Sequence, residues 1–342
     1  MTKATYAGVV GGGSWGTAIA HMLGSNGKKT LLWLRDEAVR AAINERRENT
    51  HYLPGFALSE NVRATGELGE IGERCHVIFM VVPSHAMRRV ASDLSEHVRG
   101  DHVVVHATKG MEANPEEKRY RRMTEVLREE TCARKIGALS GPNLAKEIMQ
   151  GQPAATVVAS KFPEVVKATQ DLLVSPAFRV YGNTDVVGVE VGGALKNIIA
   201  LASGLVNGLG FGDNTKSMLL TRGLAEITRM GAAMGADPLT FSGLSGIGDL
   251  MCTCASPLSR NYQVGARLGQ GQKLEQILAD MGQVAEGVKT ARAVHGLAQE
   301  LGVDMPITTA IYRCLYEGLS VQDAMRALMT RDPKSEVEHR RR

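Results

Sequence analysis

Aromatic side chains are scarce: Phe, Trp and Tyr make up 4% of the 342 residues. Proteins that hold single-stranded nucleic acid stack bases on aromatic rings, so a stacking platform is not expected. No excess of one charge sign is present either. The formal net charge is +4, and Arg340, Arg341 and Arg342 supply three of those charges, which leaves a nearly balanced body. A broad nucleic-acid-binding face is therefore not expected, although a small anionic ligand needs only a few local cations. Cysteine is sparse and unpatterned. Cys75, Cys132, Cys252, Cys254 and Cys314 form an odd set without a second CxxC or a histidine pair. Neither a disulfide framework nor a zinc site is expected, and the thiols read as reduced. The opening MTKATYAGVVGGG holds no signal-peptide core, so the expected location is the cytoplasm.

A long apolar run is also lacking. The most apolar stretch, Ala194 to Leu209, carries Lys196, Asn197, Asn207 and several glycines. These fall short of the ~20 apolar residues of a membrane span, so none is expected. Glycine, by contrast, is plentiful at 38 residues, and methionine at 15, which suits close backbone packing. The length and the 44% hydrophobic content fit an ordinary globular protein of two domains.

Tyr6 to Val10 is an apolar run that leads into Gly11-Gly12-Gly13-Ser14-Trp15-Gly16 and then a helix-like stretch. The G-x-G-x-x-G spacing falls on Gly11, Gly13 and Gly16. Such glycines permit the tight turn, the approach of a pyrophosphate and the packing of helix on strand. The following helix start offers free N–H groups to phosphate, so a dinucleotide is the expected cofactor. Where an acid would grip the ribose 2′-hydroxyl of NAD, after the strand Lys29 to Leu34, the chain has Arg35. That residue suits the 2′-phosphate of NADP, which is favoured, with NAD possible because Asp36 adjoins; a plain surface arginine is the other reading.

Further strands are expected over Val62–Thr65, Val77–Val82, Val103–His106, Lys135–Leu139, Ala155–Ala159 and Phe178–Tyr181, with helices between them at Ala86–Glu96 and Pro115–Glu130. This alternation predicts a doubly wound α/β sheet of Rossmann type. Ligands of such sheets bind beyond the strand carboxyl ends. There the chain places Pro83-Ser84, Lys109-Gly110 and Gly141-Pro142-Asn143. The cluster Glu116 to Arg122 reads instead as the solvated start of a helix.

From Asp185 onward the pattern is helical, over roughly 186–209, 214–235, 238–242, 249–254, 257–269, 273–280, 286–302, 307–318 and 320–328. Expected domains are 1–183 for the dinucleotide and 184–330 for an all-helical substrate and catalytic domain, followed by a charged tail at 331–342. Lys196 lies among Leu195, Ile198, Ile199, Leu201 and Leu205. Its ammonium needs a partner or must give up its proton, which suits proton transfer; a lysine stem snorkelling to the surface is the alternative. Asp249 and Thr253 share a helix face at i and i+4, although Asp249 also suits an N-cap. Ser259-Arg260-Asn261 starts a helix where phosphate can bind, with a surface ion pair as the other reading of Arg260. Glu286, in Val284-Ala285-Glu286-Gly287, reads as a helix-start acid.

The segments GGGSWGTA, VPS, ATKG, SGPNLAKE, GGALKNIIALASG, SGIGDLMCTC, SRN and VAEG, in this order from Ala7 to Leu328, resemble the glycerol-3-phosphate dehydrogenases of the bacterial NAD(P)-dependent type. The resemblance implies reversible reduction of dihydroxyacetone phosphate to sn-glycerol 3-phosphate, for phospholipid synthesis, by a homodimer. It implies Lys196 as the proton-transferring group, with Lys109, Gly141, Asn143, Asp249, Ser259, Arg260 and Asn261 around the substrate. Ser14, Trp15, Arg35, Lys109, Ala145, Arg260, Val284 and Glu286 would touch the cofactor. Animal relatives add Asn197 and Thr253 near the reacting groups. Asn143 stands where many bacterial relatives carry serine or threonine, which alters hydrogen-bond detail. A β-hydroxyacid-type dehydrogenase would share the architecture but need a carboxylate pocket. A cofactor-binding redox sensor would lack a proton donor or carry a basic reading helix.

Overall fold

In the computed structural model, which describes residues 6–114, 117–281, 285–333 and 335–336, the apolar runs of the first half become one eight-stranded sheet. Its strands are β1 (Tyr6–Val10), β2 (Thr30–Trp33), β3 (Val62–Thr65), β4 (Cys75–Met80), β5 (Val103–His106), β8 (Lys135–Ser140), β9 (Ala154–Ala159) and β10 (Phe178–Asn183); between β5 and β8 stands a hairpin of β6 (Met111–Asn114) and β7 (Arg119–Arg122). The sheet order is β10-β9-β8-β5-β4-β1-β2-β3. From β1 the chain winds outward to β2 and β3, then returns to β4 on the other side. That reversal opens a crevice at the carboxyl ends of β1 and β4. Every residue of β2 and β5 is buried, as helices on both faces require.

Two expectations change here. β9 runs antiparallel to β8, because the link between them, which includes the five-residue helix Ala145–Met149, turns the chain back instead of making a full crossover. The expected helix over 115–130 begins only at Met123. Its first part is the hairpin strand β7, whose charges are not merely solvated: Arg121 pairs with Glu129 at 2.6 Å and Arg122 with Glu190 at 2.6 Å. Residues 115 and 116 lie outside the described residues.

Among the described residues after β10, every regular element is a helix. The central one, Val186–Gly208, is capped by Asp185, which accepts from the Gly188 N–H. By length and hydropathy it is apolar enough to cross a membrane, contrary to the reading from its interrupted run, but 94% of its apolar window is buried inside the protein. Its apolar faces form the core of the helical half, with Phe241, Ile227, Val264 and Val294 packed in the same cluster. Burying each such side chain contributes about 1.5–3 kcal/mol. Glycine sets how closely helix Arg260–Gly269 can approach: a Cβ on Gly265 would come 2.0 Å from the Leu201 carbonyl oxygen, and one on Gly204 would come 2.1 Å from that of Tyr262. At the start of the charged tail Arg331 pairs with Asp304 at 2.8 Å, and residues 334 and 337–342 of that tail lie outside the described residues.

Candidate active site

At the end of β1 the backbone turns through Gly11, whose φ of +123° disfavours any side chain. A Cβ on Gly16 would come 1.9 Å from the Gly11 carbonyl oxygen, so helix Ser14–Ser25 packs on the turn only because that residue is glycine. Gly13 differs: a Cβ there meets no atom within 4 Å. Nothing in the protein demands glycine at that position, and the open space beside a helix start without a side-chain cap is what a pyrophosphate requires. Ser14 donates to the Tyr52 carbonyl at 3.1 Å, and Trp15 packs half-buried against the sheet core. Buried Asn49 holds this region from behind. It donates to the Gly12 carbonyl at 2.9 Å and to Thr17 Oγ1 at 2.8 Å, and accepts from the Tyr52 N–H at 3.0 Å. Beyond β2, Asp36 is occupied as the N-cap of helix Glu37–Arg46, accepting from the Val39 N–H at 3.0 Å, while Arg35 is exposed.

The central helix carries Lys196, buried at 5% exposure. The ammonium does not snorkel. Its Nζ lies 2.8 Å from Asp249 Oδ1 and donates to Thr253 Oγ1. Asp249 is no N-cap: it is the first residue of helix Asp249–Ala255, and its second oxygen, Oδ2, lies 2.6 Å from Lys109 Nζ. Thr253 in turn donates to the Asp249 carbonyl at 2.7 Å. Lys109, in the loop after β5, also donates to the Gly141 carbonyl at 2.9 Å. Burial pushes the Lys109 ammonium down to about 8, with Lys196 adding to the effect and Asp249 opposing it. One carboxylate thus separates two ammoniums that arrive from different halves of the chain.

A chain of amides continues from this cluster. Asn197 donates to the Lys109 carbonyl at 3.3 Å and accepts from Asn261 Nδ2 at 2.9 Å, and Asn261 Oδ1 accepts from the Gly287 N–H at 2.9 Å. Ser259 is the N-cap of helix Arg260–Gly269, accepting from the Tyr262 N–H at 3.3 Å, so Arg260 stands exposed on the first turn. Asn143 donates to the Ala155 carbonyl at 3.1 Å and keeps a buried, unpartnered Oδ1. Ala145 opens the short helix beyond β8. Glu286, the first residue of helix Glu286–Leu301, reaches across to the turn after β4, where it accepts from the Ser84 N–H at 3.0 Å and Ser84 Oγ at 2.5 Å. Val284 lies outside the described residues. Among the described residues no cluster of His, Cys, Asp and Glu is arranged to hold a metal ion, and all five cysteines are free thiols.

Residues 7–166 match the N-terminal family and residues 185–326 the C-terminal family of NAD-dependent glycerol-3-phosphate dehydrogenase. The chain belongs to that family. It is 46% identical over 330 residues to the glycerol-3-phosphate dehydrogenase [NAD(P)+] of Desulfitobacterium hafniense, covering 96% of this chain and 92% of that one. It is also 46% identical to the enzyme of that name from Bacillus thuringiensis, covering 99% and 98%. The crystal structure of glycerol-3-phosphate dehydrogenase from Coxiella burnetii superposes with a TM-score of 0.91 at 34% identity, covering 96% of this chain and 99% of that one.

Within the site, direct bonds join Lys109, Gly141, Lys196, Asn197, Asp249, Thr253 and Asn261. Ser14, Trp15, Arg35 and Ala145 lie apart, beyond the carboxyl ends of β1, β2 and β8. Asn49 lies in a loop with no periodicity to mark it in the sequence, and the buried pair His106 and Glu190, 3.1 Å apart, joins residues far apart in the chain. A lone acid within an apolar helix is the signal that points to Glu190.

Proposed function

We propose that this chain reduces dihydroxyacetone phosphate to sn-glycerol 3-phosphate, reversibly, with Lys196 as the group that gives and takes the proton. The observation that supports this most is the buried ammonium of Lys196 held 2.8 Å from Asp249, whose other oxygen binds Lys109 of the loop after β5. The nicotinamide dinucleotide, when bound, supplies the hydride. As the substrate carbonyl is reduced, negative charge grows on its oxygen, and protonated Lys196 stabilises that charge and delivers the proton. In the reverse direction the neutral amine accepts the proton. Asp249 and Thr253 hold the amine in place, so it needs no reorganisation at the moment of transfer. Lys109, Gly141 and the free acceptor of Asn143 line the substrate side.

The phosphate anchor in this reading is Arg260 with Asn261. Asn261 spends its carbonyl on Gly287 and one amide hydrogen on Asn197, which leaves a second hydrogen for an anion. The helix start adds its dipole to the same end. Exposed Arg35, beside an Asp36 already engaged as a cap, supports a preference for NADPH. Ser14 and Trp15 fit the pyrophosphate side, Ala145 and Glu286 the nicotinamide side. The same reading takes the units as 1–183 and 184–330, assembled as a cytoplasmic homodimer. The direct test follows oxidation of each reduced nicotinamide with dihydroxyacetone phosphate against short 2-keto and 3-keto acids. Turnover with the keto acids alone would favour a β-hydroxyacid-type enzyme.

A further inference from the structure

Glu190 takes no part in the chemistry above, yet it is buried on the central helix, six residues before Lys196. Every group that binds it comes from the sheet half of the chain. Its Oε1 accepts from the Thr124 N–H at 2.8 Å and lies 3.1 Å from His106 Nε2. Its Oε2 accepts from Thr124 Oγ1 at 2.7 Å and Arg122 Nη1 at 2.6 Å. Arg122 is shared with Glu125 at 2.7 Å. Burial alone would raise the Glu190 pKa, but His106, Arg122 and the Thr124 N–H hold it down to about 2, so the carboxylate is charged at any working pH.

These partners are not scattered. His106 is the last residue of β5, and the loop that follows delivers Lys109 three residues later. Arg122 and Thr124 flank the start of helix Met123–Glu130. Between Glu190 and Lys196 the central helix presses on the sheet edge: a Cβ on Gly193 would come 2.5 Å from Ser140 Oγ and 3.6 Å from Lys109 Cγ. We infer that Glu190 is a positioning residue, pinning the central helix to the start of helix Met123–Glu130 and to the end of β5, and thereby setting Lys196 and Lys109 on opposite oxygens of Asp249. This rests on the roles proposed for the two lysines.

The physical reason is the sharing of Asp249. Lys109 reaches it from the sheet and Lys196 from the helix, at 2.6 and 2.8 Å. Any slide of helix against sheet lengthens one contact, and a misplacement of about 1 Å can cost on the order of 10²-fold in rate. Buried ion clusters often contribute little net stability, and fixing register is the role best attested for them.

The test uses full-length Glu190→Gln, with His106→Asn as a milder variant that removes one of the four partners. We expect Glu190→Gln to lower kcat about 10- to 100-fold, with NADPH Kd unchanged within about two-fold. If the Lys109 ammonium, which faces Asp249, Lys196 and Cys252, gives the alkaline limb of kcat/KM, that limb should move to lower pH, because a looser contact removes the Asp249 charge that holds Lys109 up. His106→Asn should act in the same direction but less, and the double variant should be no worse than Glu190→Gln alone. Should Glu190→Gln not fold, the kcat and alkaline limb of His106→Asn decide. A lower melting temperature with unchanged kcat and limb would overturn the inference and leave Glu190 a stabilising residue. Lys196→Met, measured alongside, separates the two readings: its retained turnover would sink the lysine assignment, whereas its loss with an unaffected Glu190→Gln would sink only the pin.

Discussion

Lys196 and Asp249 meet at 2.8 Å where almost no water reaches, at 5% and 1% exposure. An unpaired ammonium there would cost several kcal/mol, so the aspartate is what permits a lysine in an apolar helix. Because Lys109 takes the other oxygen of Asp249, each lysine feels the other through a single carboxylate.

That coupling gives a pH dependence. Burial and the nearby Lys196 bring Lys109 down to about 8, so it is a cation below that pH and neutral above it. With the Lys109 cation on the substrate side, as proposed, kcat/KM for dihydroxyacetone phosphate should fall as pH rises through about 8. Lys109→Arg, charged throughout, should lower the rate but remove this limb. A limb that stays in place in Lys109→Arg belongs to another group.

Arg260→Ala should raise KM for dihydroxyacetone phosphate about 10- to 100-fold, the equivalent of one lost charge-assisted hydrogen bond of roughly 1.5–3 kcal/mol. Steady-state kinetics at saturating cofactor checks this. An unchanged KM would place the phosphate anchor elsewhere.

Arg35→Asp should move preference from NADPH toward NADH, because an acid at that position accepts from the ribose 2′-hydroxyl and repels a 2′-phosphate. The ratio of kcat/KM for the two cofactors reads the effect. If the ratio does not move, Arg35 is only a surface residue.

Glu226 sets a pH dependence of stability away from the site. It accepts from the N–H groups of Ile307 and Thr308 at 2.5 and 3.1 Å, where helix Pro306–Tyr316 begins. Burial pushes its pKa up to about 7, against those bonds and Arg229, which hold it down. A carboxyl with a raised folded pKa stabilises fully below its unfolded value of about 4.5, and that contribution fades as pH rises through about 7. Relative to Glu226→Gln, the parent protein should therefore lose up to about 3 kcal/mol between pH 5 and 8. Parallel denaturant curves for the two proteins across this range would contradict the assignment.

Much of this architecture is legible in the chain. Val62–Thr65 and Val103–His106 are strands with the bounds their apolar runs suggest, and Lys196 stands out because Leu195, Ile198, Ile199, Leu201 and Leu205 around it in the sequence are apolar. What stays hidden is partnership over long sequence distances. Arg121 and Arg122 look solvated because their acids, Glu129 and Glu190, lie on other elements. The antiparallel turn into β9 and the bond from Glu286 to Ser84 are likewise set by packing between elements, which periodicity does not encode. Asn49 shows the same limit, since its importance comes from the Gly12 carbonyl it touches.

The most direct test of the whole account is Lys196→Met, with turnover and cofactor affinity measured on one preparation. The neutral, similar-sized side chain should lower kcat about 10²- to 10⁴-fold, as removal of a general acid does, while NADPH Kd by fluorescence stays within about two-fold. Near-normal turnover, or an equal loss of cofactor binding, would contradict the claim that this buried amine moves the proton.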